Sequence, residues 1–417
     1  MRTRAASTPV YRDRDLPVYL CTRFASNVAS LVQSVSIGWQ VYELARTPLA
    51  LGVVGLVGFV PMFALTLPAG EMADRFDPRR LLVVSLLLQA VCAGLLFALA
   101  LGHIAHVAPL YVALVLSGCA RGFSGPATRA VLPLLQPPAQ LPRAIAWGSS
   151  VAQIATISGP ALGGFIYALG PAQAYGSCVI AFLIAAAGVL SLAGRRMPID
   201  PTQLAGRLER VREGVHFVRS RPVILGAISL DLFAVLLGGA TALLPIYARD
   251  ILHVGPGGLG LLRSAPAIGA TCVALYLTRH PIERRIGARM FAAVAVFGVA
   301  TVVFGLSRSV VLSLGALIVL GASDQISVYV RTALVQMATP DAMRGRVSAV
   351  STLFIGASNE LGEFESGITA ALFGTVPAVV LGGVGTLVVI ALWMRLFPPL
   401  RSLDRLSEVT GAATAPG

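Results

Sequence analysis

A short charged turn between two uncharged apolar stretches constrains the fold of this chain more than any other feature. Residues 51–69 and residues 81–102 contain no charged side chain. Each stretch is long enough to cross a bilayer as an α-helix, which takes about 20 apolar residues. Between them, Gly70–Arg80 reads GEMADRFDPRR. The pattern predicts two membrane-spanning helices joined by a tight charged turn.

The composition of the whole chain indicates many such helices. Of its 417 residues, 56% are hydrophobic and only 12% are charged, whereas a soluble protein carries about 25% charged residues. The twelve predicted spans are 16–43, 49–72, 81–102, 109–134, 144–169, 173–193, 223–247, 257–278, 289–306, 310–335, 346–372 and 376–397. We therefore expect an all-α, multi-pass membrane protein embedded in a lipid bilayer.

The arginines give the expected orientation. The chain has 32 basic residues, all of them arginine, and a net charge of +13. A soluble protein this basic would suggest nucleic-acid binding, but only Arg46, Arg249 and Arg308 fall in turns on the side away from the N-terminus. Because short cytoplasmic segments are rich in arginine, we expect both termini in the cytoplasm and no nucleic-acid partner.

The two halves of the sequence repeat each other with an offset of 203 residues. The offset superimposes Gly118 on Gly321, Pro137 on Pro340, Gly159 on Gly362 and Gly164 on Gly367. Because six spans separate equivalent positions, the halves have parallel topology. The predicted organisation is a cytoplasmic tail 1–15, a six-helix lobe 16–193, a cytoplasmic linker 194–222, a second six-helix lobe 223–397 and a cytoplasmic tail 398–417.

The linker contains one periodic segment. Apolar residues follow helical spacing with arginines between them, at Leu204, Leu208, Val211, Val215 and Val218. The spacing predicts an amphipathic helix on the inner membrane surface. The alternative is a flexible basic linker.

The charged turn resembles a known signature. Its residues Gly70, Asp74, Arg75, Arg79 and Arg80 resemble the G-x-x-x-D-R-x-x-R-R motif of major facilitator superfamily transporters. The positive-inside rule alone would explain the arginines but not the glycine and the aspartate. The resemblance implies two lobes around a central substrate site. It also implies a cytoplasmic gate, in which Asp74 faces the start of the eleventh span near Arg344 and Arg346.

A second motif lies in the fifth span. Residues Gly159, Pro160, Gly163 and Gly164 resemble the G-P-x-x-G-G core that marks antiporters of this superfamily. Glycines allow close helix contact, and Pro160 removes a backbone donor and bends the helix. The resemblance implies export. The alternative is ordinary helix packing.

Charged side chains within the spans are the candidate coupling groups, because each costs several kcal/mol unless it is paired or faces water. The acids are Asp231, Asp324, Glu360, Glu363 and Glu365, and the candidate cavity set also includes Arg121 and Asn359. Glu360 and Glu363 are three residues apart and therefore share one helix face. Two close carboxylates cannot both ionise cheaply in a cavity, which favours proton uptake. The alternative is a set of buried Asp–Arg pairs that lock helices together.

The later spans narrow the resemblance to one branch. Segments 231–245, 339–350 and 358–367 resemble the bacterial branch that contains the enterobactin exporter and macrolide-efflux-like proteins. This implies a monomeric secondary transporter, without a cofactor, that exports a small organic molecule such as a drug or siderophore in exchange for protons. The alternatives are uptake, a facilitator that moves lipids or metabolites, and a non-transporting receptor.

Two further classes are disfavoured by the residues present. A nucleotide-binding G-x-x-x-x-G-K-[ST] loop is impossible without lysine, so energy has to come from a gradient. His103 and His106 are three residues apart without a third ligand, so we expect no metal site and no enzyme.

Overall fold

The computed structural model describes residues 14–102, 106–192 and 207–405. Regular structure in these residues is helical throughout. The helices are α1 (Asp15–Ala45), α2 (Pro48–Arg75), α3 (Pro78–Leu101), α4 (Ala108–Leu135), α5 (Leu141–Leu169), α6 (Pro171–Ser191), α7 (Arg207–Ser220), α8 (Pro222–Leu237), α9 (Leu244–Ile246), α10 (Gly255–Arg279), α11 (Ile286–Leu306), α12 (Val310–Ala338), α13 (Asp341–Phe373), α14 (Thr375–Leu396) and α15 (Pro398–Arg401). His103, most of both predicted tails and Leu204 lie outside the described residues.

The tight turns follow from the residues at the helix ends. Proline stands in the first turn of α2, α3, α5, α6 and α8, where its missing N–H breaks no helical hydrogen bond. At the start of α3, the Asp77 carboxylate accepts a hydrogen bond from the backbone N–H of Arg79 at 3.0 Å. The turns after α5 and α13 use Gly170 and Gly374, with φ of 138° and 90°, a conformation that favours glycine.

The helices form two lobes that repeat the same packing. In the first lobe, α1 packs on α5 and α6, α2 on α4, and α3 on α4 and α6. In the second lobe, α8 packs on α13 and α14, α10 on α12, and α11 on α12 and α14. The pairs correspond one to one in chain order, which confirms two pseudo-symmetric six-helix lobes.

Glycines related by the sequence offset make equivalent contacts. A Cβ atom on Gly159 would lie 2.8 Å from Cβ of Leu31 in α1, and one on Gly362 would lie 2.8 Å from the carbonyl oxygen of Val235 in α8. Since α1 and α8 are equivalent helices, these glycines permit the same close approach in both lobes.

Nine helices within the described residues are long and apolar enough to cross a membrane on those grounds alone. The other three predicted spans lie in α1, α4 and α13, which carry more polar or charged side chains. All three helices line the central cavity described below. The least apolar spans are therefore turned towards the interior of the protein.

The lobes touch at one end of the bundle. We call the end where α1 and α8 begin, which is predicted to be cytoplasmic, the inner end, and the opposite end the outer end. Near the outer end, a Cβ atom on Gly52 of α2 would lie 3.0 Å from Cα of Gly367 in α13. The other close approach joins α5 to α10, where a Cβ atom on Gly260 would lie 3.0 Å from the carbonyl oxygen of Ala161.

The same helices separate towards the inner end. Trp147 of α5 is 53% exposed and Tyr276 of α10 is 60% exposed. Ser149 and Ser150, on other faces of that turn of α5, are also exposed. The inner ends of α5 and α10 therefore expose side chains that the opposite lobe does not cover.

The linker contains helix α7, which packs against the second lobe. Val218 belongs to a buried cluster with Val335 of α12 and Val347 of α13. A Cβ atom on Gly214 would lie 2.9 Å from the carbonyl oxygen of Arg346. The helix therefore lies against the inner ends of α12 and α13.

Candidate functional site

A cavity of about 270 Å³ lies between the lobes. Helices α1 to α5 line it from the first lobe, and the seventh span, α10 and α13 line it from the second lobe. This placement between pseudo-symmetric halves is where transporters of parallel-repeat architecture bind their substrates.

Two glutamates of α13 converge on a single point of this cavity. A Cβ atom on Gly55 of α2 would lie 3.0 Å from Oε2 of Glu363 and 3.3 Å from Oε2 of Glu360. The absence of a side chain at Gly55 gives the two carboxylates their room. Among the residues that the structure describes, neither glutamate has an ion pair within 4.0 Å.

Two arginines, one from each lobe, line the same cavity. Arg263 of α10 donates a hydrogen bond from Nη1 to Oγ of Ser34 in α1 at 3.1 Å, which links the lobes. Arg121 of α4 packs against α2, where a Cβ atom on Gly58 would lie 2.7 Å from its Nη2 atom, and its buried Nε atom has no hydrogen-bond partner among the described residues. The cavity therefore combines two acids and two arginines.

The remaining polar wall is uncharged and comes mostly from the first lobe. Ser30 of α1 donates a hydrogen bond to Oε1 of Gln89 in α3 at 3.3 Å, and Gln33 and Ser117 lie nearby in the wall. This side offers hydrogen-bond donors and acceptors but no acid. A ligand in the cavity therefore meets both carboxylates on one side only.

The seventh span is broken beside the cavity. Helix α8 ends at Leu237, and the chain continues through Gly238-Gly239, a 3₁₀ turn (Ala240–Leu243), α9 and a π-helical turn (Tyr247–Ile251). The break brings Thr241 into the cavity wall. Sequence reasoning missed this feature, although the Gly238-Gly239 pair is a signal for it, because irregular backbone in a membrane occurs where it lines a cavity.

Two of the predicted coupling residues lie elsewhere. Asp231 of α8 forms an ion pair with Arg331 of α12, and both side chains are almost fully buried. Asp324 of α12 lies beside Asp231 around a separate small cavity within the second lobe. Neither aspartate lines the central cavity, because α8 and α12 turn these residues towards each other.

The last two candidates of α13 are also turned away. Glu365 accepts a hydrogen bond from Oγ1 of Thr369, one turn along the same helix, at 2.6 Å. Asn359 is exposed and does not line the cavity. The structure therefore brings together Arg121, Glu360 and Glu363 from the predicted set, with Arg263 as a further member.

A polar network closes the outer end. Arg249, after the seventh span, lies 3.7 Å from the Glu43 carboxylate of α1 and 5.7 Å from the ring of Trp39. Tyr167 donates a hydrogen bond to Glu43 at 3.3 Å, and Tyr42 donates one to Asp250. Sequence reasoning missed these contacts, and those of Arg249 and Asp250 connect the two lobes.

The predicted gate residues lie at the inner ends of α2, α3 and α13. Gly70 is buried, whereas Arg75 and Arg80 are exposed. Arg79 donates a hydrogen bond to the carbonyl oxygen of Leu192, after α6, at 2.9 Å. The side chain of Asp74 lies outside the described residues.

The arginines at the start of α13 also lie at the inner end, on the second lobe. Arg344 donates a hydrogen bond to the carbonyl oxygen of Gln336 at 3.2 Å. Arg346 forms an ion pair with Glu213 of α7. These two contacts lie within the second lobe and its linker.

The motif of the fifth span lies on two interfaces. Gly159 and Gly163 pack on α1, where a Cβ atom on Gly163 would lie 2.9 Å from Cα of Val32. Gly164 packs on α10 across the lobe interface, and Pro160 lines the central cavity. The motif therefore joins the first lobe to the second at the cavity.

Comparisons with known proteins agree with this architecture. The sequence profile of a family described as transmembrane secretion effector matches residues 8–412. The chain is 30% identical over 412 residues to the multidrug efflux pump Tap of Mycobacterium tuberculosis, covering 91% of this chain and 93% of Tap. It is 26% identical over 396 residues to the enterobactin exporter EntS of Citrobacter koseri, covering 94% of both.

Solved structures share the fold. A bacterial homologue of the human lysosomal transporter Spinster, in an inward-facing and occupied conformation, superimposes with a TM-score of 0.73 at 14% identity, covering 95% of this chain and 100% of that one. A mutant form of the nucleoside transporter NupG superimposes with a TM-score of 0.72 at 13% identity, covering 92% of this chain and 100% of that one.

Proposed function

Because the chain belongs to the transmembrane secretion effector family of major facilitator transporters, we propose that it exports a small organic molecule in exchange for protons. Secondary transport and export follow from its efflux relatives. The exchange for protons, the substrate and the residues involved are our proposal.

The observation that carries the proposal is the convergence of Glu360 and Glu363 on Gly55. Two carboxylates this close repel each other when both are ionised, so binding a proton relieves the repulsion. A ligand that donates hydrogen bonds or carries positive charge relieves the same repulsion. Proton and ligand therefore compete for one site, which is the requirement for exchange.

The arginines complete the exchange site. With both glutamates ionised, Arg121 and Arg263 balance them, and the cavity suits a neutral or cationic amphiphile. With the glutamates protonated, the two positive charges repel a cation. The cycle thus uses protonation to release the substrate once the cavity faces the outer side.

Alternation requires closing the inner end and opening the outer end. Asp74 of α2 is proposed to meet the start of α13, near Arg344 and Arg346, when the inner ends close. Opening the outer end has to break the Glu43–Arg249 and Tyr42–Asp250 contacts. We infer that the exposed inner ends of α5 and α10 belong to the state that loads substrate from the cytoplasm.

The names of the relatives narrow the substrate to drug-like compounds and siderophores. Macrolide efflux protein A of Streptococcus pyogenes is 22% identical over 397 residues, covering 91% of this chain and 95% of that protein. We place the chain as a monomer in the bacterial inner membrane with both termini in the cytoplasm, without a cofactor.

A compound panel tests the proposal in a host that lacks its own exporters. The wild type is compared with Glu363→Gln and with Asp231→Asn at matched protein level in the membrane. Resistance that the wild type confers and Glu363→Gln does not supports exchange at the central cavity. Equal resistance in all three strains would contradict it, and accumulation instead of resistance would indicate uptake.

Proton release gives a second, direct test. Adding a transported compound to purified protein in weakly buffered detergent is expected to release protons from the wild type and fewer from Glu363→Gln. Binding without any proton release would leave a facilitator or a receptor as the function.

A further inference from the structure

The second lobe contains a small cavity that the exchange mechanism does not use. It lies between α8, α11 and α12, and its volume of about 10 Å³ is room for one particle of the size of a water molecule. Its polar wall consists of Asp231, Asp324, Ser323 and Ser327.

The charges around this cavity do not balance. Asp231 is neutralised by its ion pair with Arg331. Among the described residues, Asp324 has no ion pair within 4.0 Å. Asp324 therefore has no counter-charge among these residues, so its carboxyl group has to bind a proton or a cation to avoid an unbalanced charge in a low-dielectric environment.

The buried hydroxyl of Ser327 gives a second, independent observation, because it lacks a hydrogen-bond partner among the described residues. Its side chain is 2% exposed, and its Oγ atom has no hydrogen-bond partner in the part of the chain that the structure describes. Buried polar atoms almost always have a partner. The hydroxyl of Ser323 donates to the carbonyl oxygen of Leu320 at 2.8 Å, which leaves its lone pairs available.

We propose that this cavity binds one sodium ion. A hard cation takes carboxylate and hydroxyl oxygens as ligands, and the wall offers them from Asp324, Ser327, Ser323 and Asp231. A single positive charge balances Asp324 and also gives the Ser327 oxygen a partner. A neutral water molecule would give the Ser327 hydroxyl a hydrogen-bond partner but would not balance the charge of an ionised Asp324. The larger potassium ion fits the volume less well.

The site is separate from the exchange site. Its wall comes from one lobe, and the Asp231–Arg331 pair stands between facing sides of α8 and α12. The ion would therefore hold the packing of these helices and stay in place while the lobes move. The proposal does not depend on proton exchange at Glu360 and Glu363.

Thermal unfolding of the purified full chain in detergent tests the proposal. Sodium chloride is titrated against choline chloride and potassium chloride at constant ionic strength. The wild type is expected to show a saturable rise in Tm with sodium alone. Asp324→Asn is expected to lose the rise, and Ser327→Ala to weaken the sodium affinity about tenfold.

The matched control is Ser313→Ala. Ser313 is a buried serine of the same helix whose hydroxyl donates to Oγ of Ser307, away from this cavity. It should lower the Tm without changing the sodium midpoint. Equal Tm values in sodium and choline would overturn the proposal, because the cavity would then hold only water or a proton. A sodium effect that persists in Ser327→Ala with unchanged affinity would overturn it as well, and this variant decides the matter should Asp324→Asn fail to fold.

Discussion

The chain has two buried charge clusters that differ in their relation to the lobes. In the central cavity, Glu360 and Glu363 of the second lobe face Arg121 of the first lobe and Arg263. In the second lobe, Asp231, Asp324 and Arg331 lie on α8 and α12 of the same lobe. Similar residue types thus occur in two different mechanical settings.

The two clusters differ in what happens to them when the lobes move. The surroundings of the charges between the lobes change, whereas those of the charges within the second lobe do not. When the lobes rock against each other, the distance between Glu363 and Arg121 has to change, and so does the cost of ionising the glutamate. Asp231 and Arg331 move together, so their interaction stays constant. We therefore propose that the cluster between the lobes, and not the one within the second lobe, couples a proton to the conformational change.

The largest effect is expected from a substitution in the charge cluster of the central cavity. Glu363→Gln removes one carboxylate and the repulsion that we propose drives exchange, so export should fall by about tenfold or more at unchanged protein level. The measurement is efflux of a fluorescent substrate from loaded cells. Export equal to that of the wild type would show that the two clusters do not differ as described.

The second largest effect is expected from a substitution in the charge cluster within the second lobe. Arg331→Leu leaves Asp231 buried without its partner, which typically costs about 3–5 kcal/mol of stability. Denaturation in detergent should show a lower Tm, while the correctly folded fraction exports at the normal rate per molecule. The double variant Asp231→Asn with Arg331→Leu should recover part of the stability. A loss of export in fully folded Arg331→Leu would count against a structural role.

A smaller effect sharpens the geometry of the first cluster. Gly55→Ala places a methyl group 3.0 Å from Oε2 of Glu363, so the carboxylates must shift. We expect about a fivefold loss of apparent substrate affinity, equivalent to about 1 kcal/mol, without a change in Tm. The affinity is measured from the concentration dependence of efflux. Gly94→Ala, where a Cβ atom would meet nothing within 4 Å, is the matched control.

The smallest effect is expected at Glu365. Its hydrogen bond to Thr369 lies within α13 and outside the cavity, so Glu365→Gln should keep export within about twofold of the wild type. Export is measured beside Glu363→Gln, two residues away. A loss as large as that of Glu363→Gln would place the coupling group on another face of α13.

The sequence predicted the architecture well because apolar length and the repeat are local or periodic signals. Six matched spans in each half follow from one offset, and the structure reproduces it. The spacing of Glu360 and Glu363 also predicted their common face. These features depend on the chain's own period and need no knowledge of distant contacts.

The partners of the charges were not predictable in the same way. Asp231 meets Arg331, which is far from it in the sequence, and hydropathy contains no information on the rotation of α8 relative to α12. The convergence on Gly55 depends on how α2 of one lobe meets α13 of the other. The break at Gly238-Gly239 is local but ambiguous, since glycine pairs also occur in continuous membrane helices.

The contact between α7 and α13 has a consequence for the whole cycle. Glu213 of the linker holds Arg346, and Gly214 lies directly against the same residue. The linker helix, which we predict to lie outside the membrane, is thereby attached to the inner end of the helix that bears Glu360 and Glu363. When the inner end of α13 moves inward, the linker helix either moves with it or loses the ion pair between Glu213 and Arg346. The movement of the linker is therefore linked to the movement of the lobes that it joins.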